Sequence, residues 1–134
     1  KRLSRFCQLQ VTELEPVSLP QNPSEKEIAA ALEKEGAELL KRAKGFCIAM
    51  CIEGKQLDSP GLAKKLEQAA QGGDSGAVTF LIGSSYGLSD AVKQRANLRL
   101  SMSAMTFPHQ LARVMLLEQI YRSYQILSGT KYHK

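Results

Sequence analysis

Hydrophobic and polar positions alternate over residues 6–15, FCQLQVTELE, which predicts a strand with one buried face. The Pro-rich stretch PVSLPQNP (16–23) interrupts that period and predicts a linker. From Ser24 the period lengthens. Ile28, Leu32, Leu39, Leu40 and Ala43 keep one side of a helix apolar up to Gly45, and Ser24 with Glu27 has the spacing of a capping box. The unbroken apolar run FCIAMCI (46–52) is expected of a strand covered on both faces. Ser59-Pro60 starts a second helix carrying Leu62, Leu66 and Ala70, which Gly72-Gly73 ends. AVTFLIG (77–83) predicts another buried strand, and SSYGLSD turns into a short helix with Ser89 as N-cap. Leu98, Leu100, Met102 and Ala104 alternate as a further strand, and a last helix covers about 108–128, stopped by Gly129. Strands alternating with helices predict a single α/β domain with a mostly parallel sheet and helices on both faces.

Parallel sheets bind ligands outside the carboxyl ends of their strands. Three loops belong there: IEGK (52–55), IGSSYG (82–87) and SAMTFPH (103–109). They are small, mostly apolar and poor in charge, with Met50, Leu81, Met102, Met105 and Phe107 close by in sequence. The chain has no GxGxxG for a dinucleotide, and GSSYG is too short for a P-loop and lacks its Gly-Lys pair. It has neither a nucleophile-elbow arrangement nor HExxH. Such loops hold a flat heterocycle by apolar contact and backbone hydrogen bonds better than they hold a triphosphate.

The last helix changes the picture of the surface. Leu111, Val114, Met115, Leu116, Leu117, Ile120, Tyr121, Tyr124, Ile126 and Leu127 wrap more than one of its faces, so it is expected between two layers. In so small a domain the second layer is expected to be another copy of the chain, a homodimer. His109 falls in the first turn, where the helix end disfavours its charged form. Glu118 and Arg122, four apart, have the spacing of a weak surface ion pair.

Charge adds a partner class. The net charge is +5, but residues 93–134 hold seven Lys/Arg against the single acid Glu118, while residues 1–92 nearly balance. A basic end on a neutral body fits a polyanion, most simply nucleic acid. Cys7, Cys47 and Cys51 form no CxxC and only two histidines exist, so buried free thiols in a reducing cytoplasm are expected rather than a metal site or a disulfide. No apolar run approaches the roughly 20 residues of a membrane span, so neither an anchor nor a signal peptide is expected here.

FLIGSSYGLS (80–89), LSMSAMTFPHQLARVMLLEQIYR (100–122) and the terminal YHK (132–134) resemble the large-subunit rRNA methyltransferase H family of the SPOUT superfamily. IAMCIEGKQLDSPGLAKKLE (48–67) extends the similarity over most of the chain from about residue 24. The resemblance implies a cytoplasmic homodimer with a C-terminal trefoil knot, a rare exception to unthreaded topology. It implies S-adenosylmethionine as cofactor and methylation of N3 of pseudouridine 1915 in helix 69 of 23S rRNA, on assembled ribosomes. The family's cofactor positions fall on Met50, Gly83, Met102, Ser103, Ala104, Met105, Thr106 and Phe107. Candidates for the chemistry are His109, Arg113 and Glu118, with Tyr132 and His133 from a tail expected to reach the partner's pocket. Two departures stand out. Ser84 occupies the place of the family's usual second Gly, and the family's opening strand and helix precede Lys1-Arg2-Leu3, so the expected domain, 1–134, does not include them. The competing reading is a non-catalytic RNA- or ribosome-binding α/β domain, which S-adenosylmethionine titration separates from an enzyme.

Overall fold

Ser24 begins the regular structure. In a computed structural model of the chain, which describes residues 9–15, 17–71, 76–84, 86–103, 105 and 107–129, its hydroxyl accepts from the Glu27 amide at 3.2 Å. The Glu27 carboxylate accepts from the Ser24 amide at 2.9 Å in return. Two of the unpaired amides at the start of helix α1 (Glu25–Arg42) are thereby satisfied. The chain then forms β1 (Phe46–Gln56), α2 (Ser59–Gln71), β2 (Val78–Leu81), α3 (Asp90–Arg95), β3 (Leu98–Ser101) and α4 (His109–Leu127). Ser89 caps α3 through the Val92 amide, as its position predicts. The cap of α2 lies one residue earlier than Ser59, at Asp58, whose carboxylate accepts from the Gly61 amide at 2.7 Å.

The three strands make a parallel sheet in the order β2-β1-β3. Because side chains alternate along a strand, β1 feeds two cores. Cys47 and Ala49 join Leu81, Leu88 and Val92 on one face, covered by Leu39, Leu40 and Ala43 of α1. Ile48 points the other way, onto Leu62 and Leu66 of α2 and Leu100 of β3. Helices therefore cover both faces, α1 and α3 on one, α2 and α4 on the other. Burying each such aliphatic side chain contributes about 1.5–3 kcal/mol. Cys47 is sealed further by Asn97, whose amide donates to its carbonyl at 2.8 Å while Asn97 Oδ1 accepts from its N–H at 2.9 Å.

Three expectations are corrected. The described part of the first predicted strand, residues 9–15, forms no strand, and Leu9 and Val11 are exposed. Alternation marks a face that could be buried, but a strand also needs an edge to pair with, and this segment pairs with none among the described residues. IEGK is not simply a loop. After Met50 pairs with Leu100, the chain bulges and returns to the same strand, Lys55 opposite Leu100 and Gln56 opposite Ser101. Gly54 permits this, since a Cβ there would lie 2.7–2.9 Å from the backbone of Arg99 and Leu100. Of the cysteines, Cys47 is fully buried but Cys51 only partly, while Cys7 lies outside the described residues.

Candidate active site

With β1 central, the carboxyl ends of all three strands lie side by side, so the loops read as candidates do share one edge. The floor beneath them is apolar. Met50 of β1, Ile82 after β2 and Met102 after β3 are each half-buried and pack against Leu116, Ile120 and Tyr121 of α4. Helix α4 is fixed in place by polar links as well as packing. The Ser59 hydroxyl of α2 bonds the Gln119 side chain at 2.5 Å, and within α4 buried Gln125 satisfies its amide on the Tyr121 hydroxyl at 2.7 Å.

The wall from β2 is a closed turn. Gly87 donates its amide to the Ser84 carbonyl at 2.9 Å, with φ of +92° at Gly87. Gly83 is tightly constrained: a Cβ would stand 2.2 Å from the Gly87 carbonyl oxygen. The wall from β3 turns on Ser103, whose carbonyl accepts from the Ser101 hydroxyl at 3.0 Å and whose own hydroxyl accepts from the Met105 amide at 3.0 Å. Met105 is 70% exposed and Phe107 is half-buried. Ala104 and Thr106 lie outside the described residues. The described turn residues of these two walls carry no charged side chain.

Helix spacing separates the candidates for the chemistry. Arg113 lies one turn before Leu117, which packs in the floor cluster, and position 109 lies one turn earlier on the same row. Glu118 is five residues from Arg113, about 140° round the helix, so it belongs to another face. There it pairs with Arg122 at 3.0 Å, both side chains largely covered. Arg113 is ion-paired with Glu13, which ties the N-terminal segment to α4. His109 opens α4, but its side chain lies outside the described structure, as do Tyr132 and His133.

Beside the bulge, Lys93 of α3 bonds Glu53 at 2.5 Å. That bond holds the Glu53 carboxyl below its usual range and raises the Lys93 ammonium above its own. Burial, aided by the Glu53 charge, pushes the neighbouring Cys51 thiol up, which favours its protonated form. Sequence spacing pairs Glu118 with Arg122 but gives no signal for Glu53 with Lys93 or for Glu13 with Arg113, because those partners meet only through the fold. Glu35 likewise finds its partners only through the fold: its carboxylate accepts from the Ser84 hydroxyl at 3.0 Å and from the Val17 amide at 2.9 Å.

Among the described residues no cluster of three His, Cys, Asp or Glu could hold a metal ion, and no helix is long and apolar enough to cross a membrane. A family model described as "Predicted SPOUT methyltransferase" matches residues 1–133. The chain is 48% identical to the ribosomal RNA large subunit methyltransferase H of Clostridioides difficile, over all of this chain and 85% of that protein. Proteins of the same name from Streptococcus thermophilus and Leuconostoc mesenteroides are 48% and 46% identical, each over all of this chain and 85% of their own length. A match over nearly every residue, at this identity, assigns the chain to the SPOUT methyltransferases, in the large-subunit ribosomal RNA methyltransferase H family.

Proposed function

We propose that this chain is an S-adenosylmethionine-dependent rRNA methyltransferase that methylates N3 of a pseudouridine in helix 69 of 23S rRNA, acting on assembled ribosomes in the cytoplasm. The observation that carries the reading is the meeting of Met50, Ile82 and Met102 from three parallel strands on one apolar floor, walled by turns after β2 and β3 whose described residues carry no charge. The relatives named above, matched along the whole chain, supply the reaction class and the rRNA substrate.

The residues present fit the cofactor. Half-buried Met50, Ile82 and Met102 offer apolar surface to a flat purine, and the described residues of the turns after β2 and β3 set no cation against a sulfonium. Met50, Gly83 and the 102–107 stretch (Met102, Ser103, Ala104, Met105, Thr106, Phe107) would hold it. When bound, S-adenosylmethionine supplies an electrophilic methyl group. The chain's task is then to align the acceptor nitrogen within about 3–3.5 Å and to deal with its proton. Arg113, one turn before Leu117 of the floor, is the group assigned to stabilise the imide anion left when that proton goes, on release from Glu13. His109, on the same row, and Tyr132 and His133 are the groups assigned to take the proton. Glu118 supports the helix through Arg122.

The homodimer is supported by Leu111 and Val114, which stay 47% and 61% exposed on a helix whose Leu116, Ile120 and Tyr121 are buried. The C-terminal knot rests on the family alone. The basic residues after position 92 supply phosphate contacts, so substrate binding should weaken steeply with salt. The deciding measurement is incorporation of labelled methyl into intact ribosomes and into free 23S rRNA. Label in ribosomal 23S rRNA, mapped to the helix 69 pseudouridine, is the expected result. Ribosome binding without incorporation would instead support the non-catalytic reading.

A further inference from the structure

Glu35 is a part-buried carboxylate with both oxygens committed, and neither bond belongs to its own helix. One oxygen accepts from Ser84 in the turn after β2, 49 residues away. The other accepts from the Val17 amide in the segment that Glu13 ties to Arg113 of α4. The next residue explains how α1 comes so near. A Cβ on Gly36 would lie 2.5 Å from the Ser89 hydroxyl and 3.0 Å from Val92, so only glycine lets α1 lie this close to the cap of α3. Glu35 and Gly36 together thus grip the two ends of the segment 84–89, Ser84 by a hydrogen bond and Ser89 by contact. Between those ends lies the Gly87 amide that closes the turn on the Ser84 carbonyl.

We infer that Glu35 is a positioning residue for the cofactor: its carboxylate holds Ser84, and through Ser84 the turn that forms one wall of the site, while coupling that wall to the N-terminal segment. The inference rests on the proposed S-adenosylmethionine site. The Ser84 hydroxyl donates to the Glu35 carboxylate, while its carbonyl accepts from the Gly87 amide, so one residue joins α1 to the closure of the turn. A charged acceptor makes this bond stronger than a neutral one.

The test uses the full chain and two readouts. In the protein alone, hydrogen exchange at the Gly87 amide should accelerate about tenfold in Glu35→Ala and in Ser84→Ala, while exchange in β1 stays unchanged. By calorimetry, S-adenosylmethionine affinity should fall roughly tenfold in Glu35→Ala and about fivefold in Ser84→Ala. The double variant should be no weaker than Glu35→Ala, since the two side chains act on the turn through the one bond they share. Glu35→Gln, which can accept from Val17 and donate to Ser84, should restore most of both. Unchanged Gly87 exchange, additive losses in the double variant, or a fall in melting temperature with affinity intact would overturn the role of Glu35. Wild-type protein that binds no S-adenosylmethionine would instead overturn the site itself, a result the exchange measurement cannot mimic.

Discussion

Gly83→Ala is the substitution for which the structure gives the most definite cost. The new Cβ would lie 2.2 Å from the Gly87 carbonyl oxygen and 2.5 Å from its carbon, where ordinary contact begins at 3.4 Å. Both opposing atoms are backbone, so no rotamer relieves the clash and the turn must open by roughly 1 Å. Opening removes the Gly87-to-Ser84 hydrogen bond, about 1 kcal/mol, and forces an overpacked site to shift, about 1–3 kcal/mol more. The expected loss is therefore about 2–4 kcal/mol, a fall in Tm of roughly 8–15 °C for a domain of this size.

Gly87→Ala is the control. Its φ of +92° strains any L side chain, but a Cβ there meets nothing within 4 Å, so the cost is backbone strain alone, about 1–2 kcal/mol. Urea denaturation and thermal melting of both variants test the ordering, and S-adenosylmethionine calorimetry tests whether the opened turn also loses the cofactor. A Gly83→Ala protein as stable as Gly87→Ala would refute the steric argument.

Asn97→Ala should cost about 1–3 kcal/mol in chemical denaturation, because it strips the acceptor from the N–H of fully buried Cys47, and Asn97→Asp should cost less. Lys93→Met removes the partner that depresses the Glu53 carboxyl. That pair stabilises the fold above the ordinary carboxylate pKa and loses its effect as pH falls through the lowered folded value. On the basic side the effect persists below the ordinary lysine pKa and fades through the raised one. Since Glu53 is 59% exposed, the neutral-pH penalty should stay under about 1 kcal/mol and vanish in acid, and a penalty that persists in acid would rule the ion pair out as its cause. Deleting residues 131–134 should abolish methylation while leaving S-adenosylmethionine affinity within a few-fold, and unchanged turnover would remove Tyr132 and His133 from the chemistry.

Local chemistry was legible in the sequence wherever partners are close along the chain. Ser24 with Glu27, Ser89 with Val92, and Glu118 with Arg122 form the bonds their spacing predicts. Continuous apolar runs rightly placed β1 and β2 between layers of helices. Strand partners were not legible, and two errors follow from that. FCQLQVTELE has the right period and no described edge to pair with, while IEGK looks like a turn and rejoins β3 beyond a bulge. Glu35 was invisible because a charged residue on a helix reads as a solvated one until the fold brings Ser84 and Val17 to it.

Helix α4 shows how one apolar stretch can serve two surfaces. Its row through Leu116, Leu117, Ile120 and Tyr124 supports the floor on which Met50 and Met102 lie. Its other side keeps Leu111 and Val114 open at the amino-terminal end, beside the start of the floor. Arg113 lies between these surfaces, one turn before Leu117 and one residue before Val114. If a second copy covers Leu111 and Val114, it must approach Arg113 as well, which adjoins Val114 on the helix. On the proposed reading, the dimer and the chemistry at Arg113 are in this way linked. Replacing Val114 with a charged residue should lower methylation in step with dimer dissociation measured by analytical ultracentrifugation. A monomeric Val114→Glu protein with full turnover would break that link.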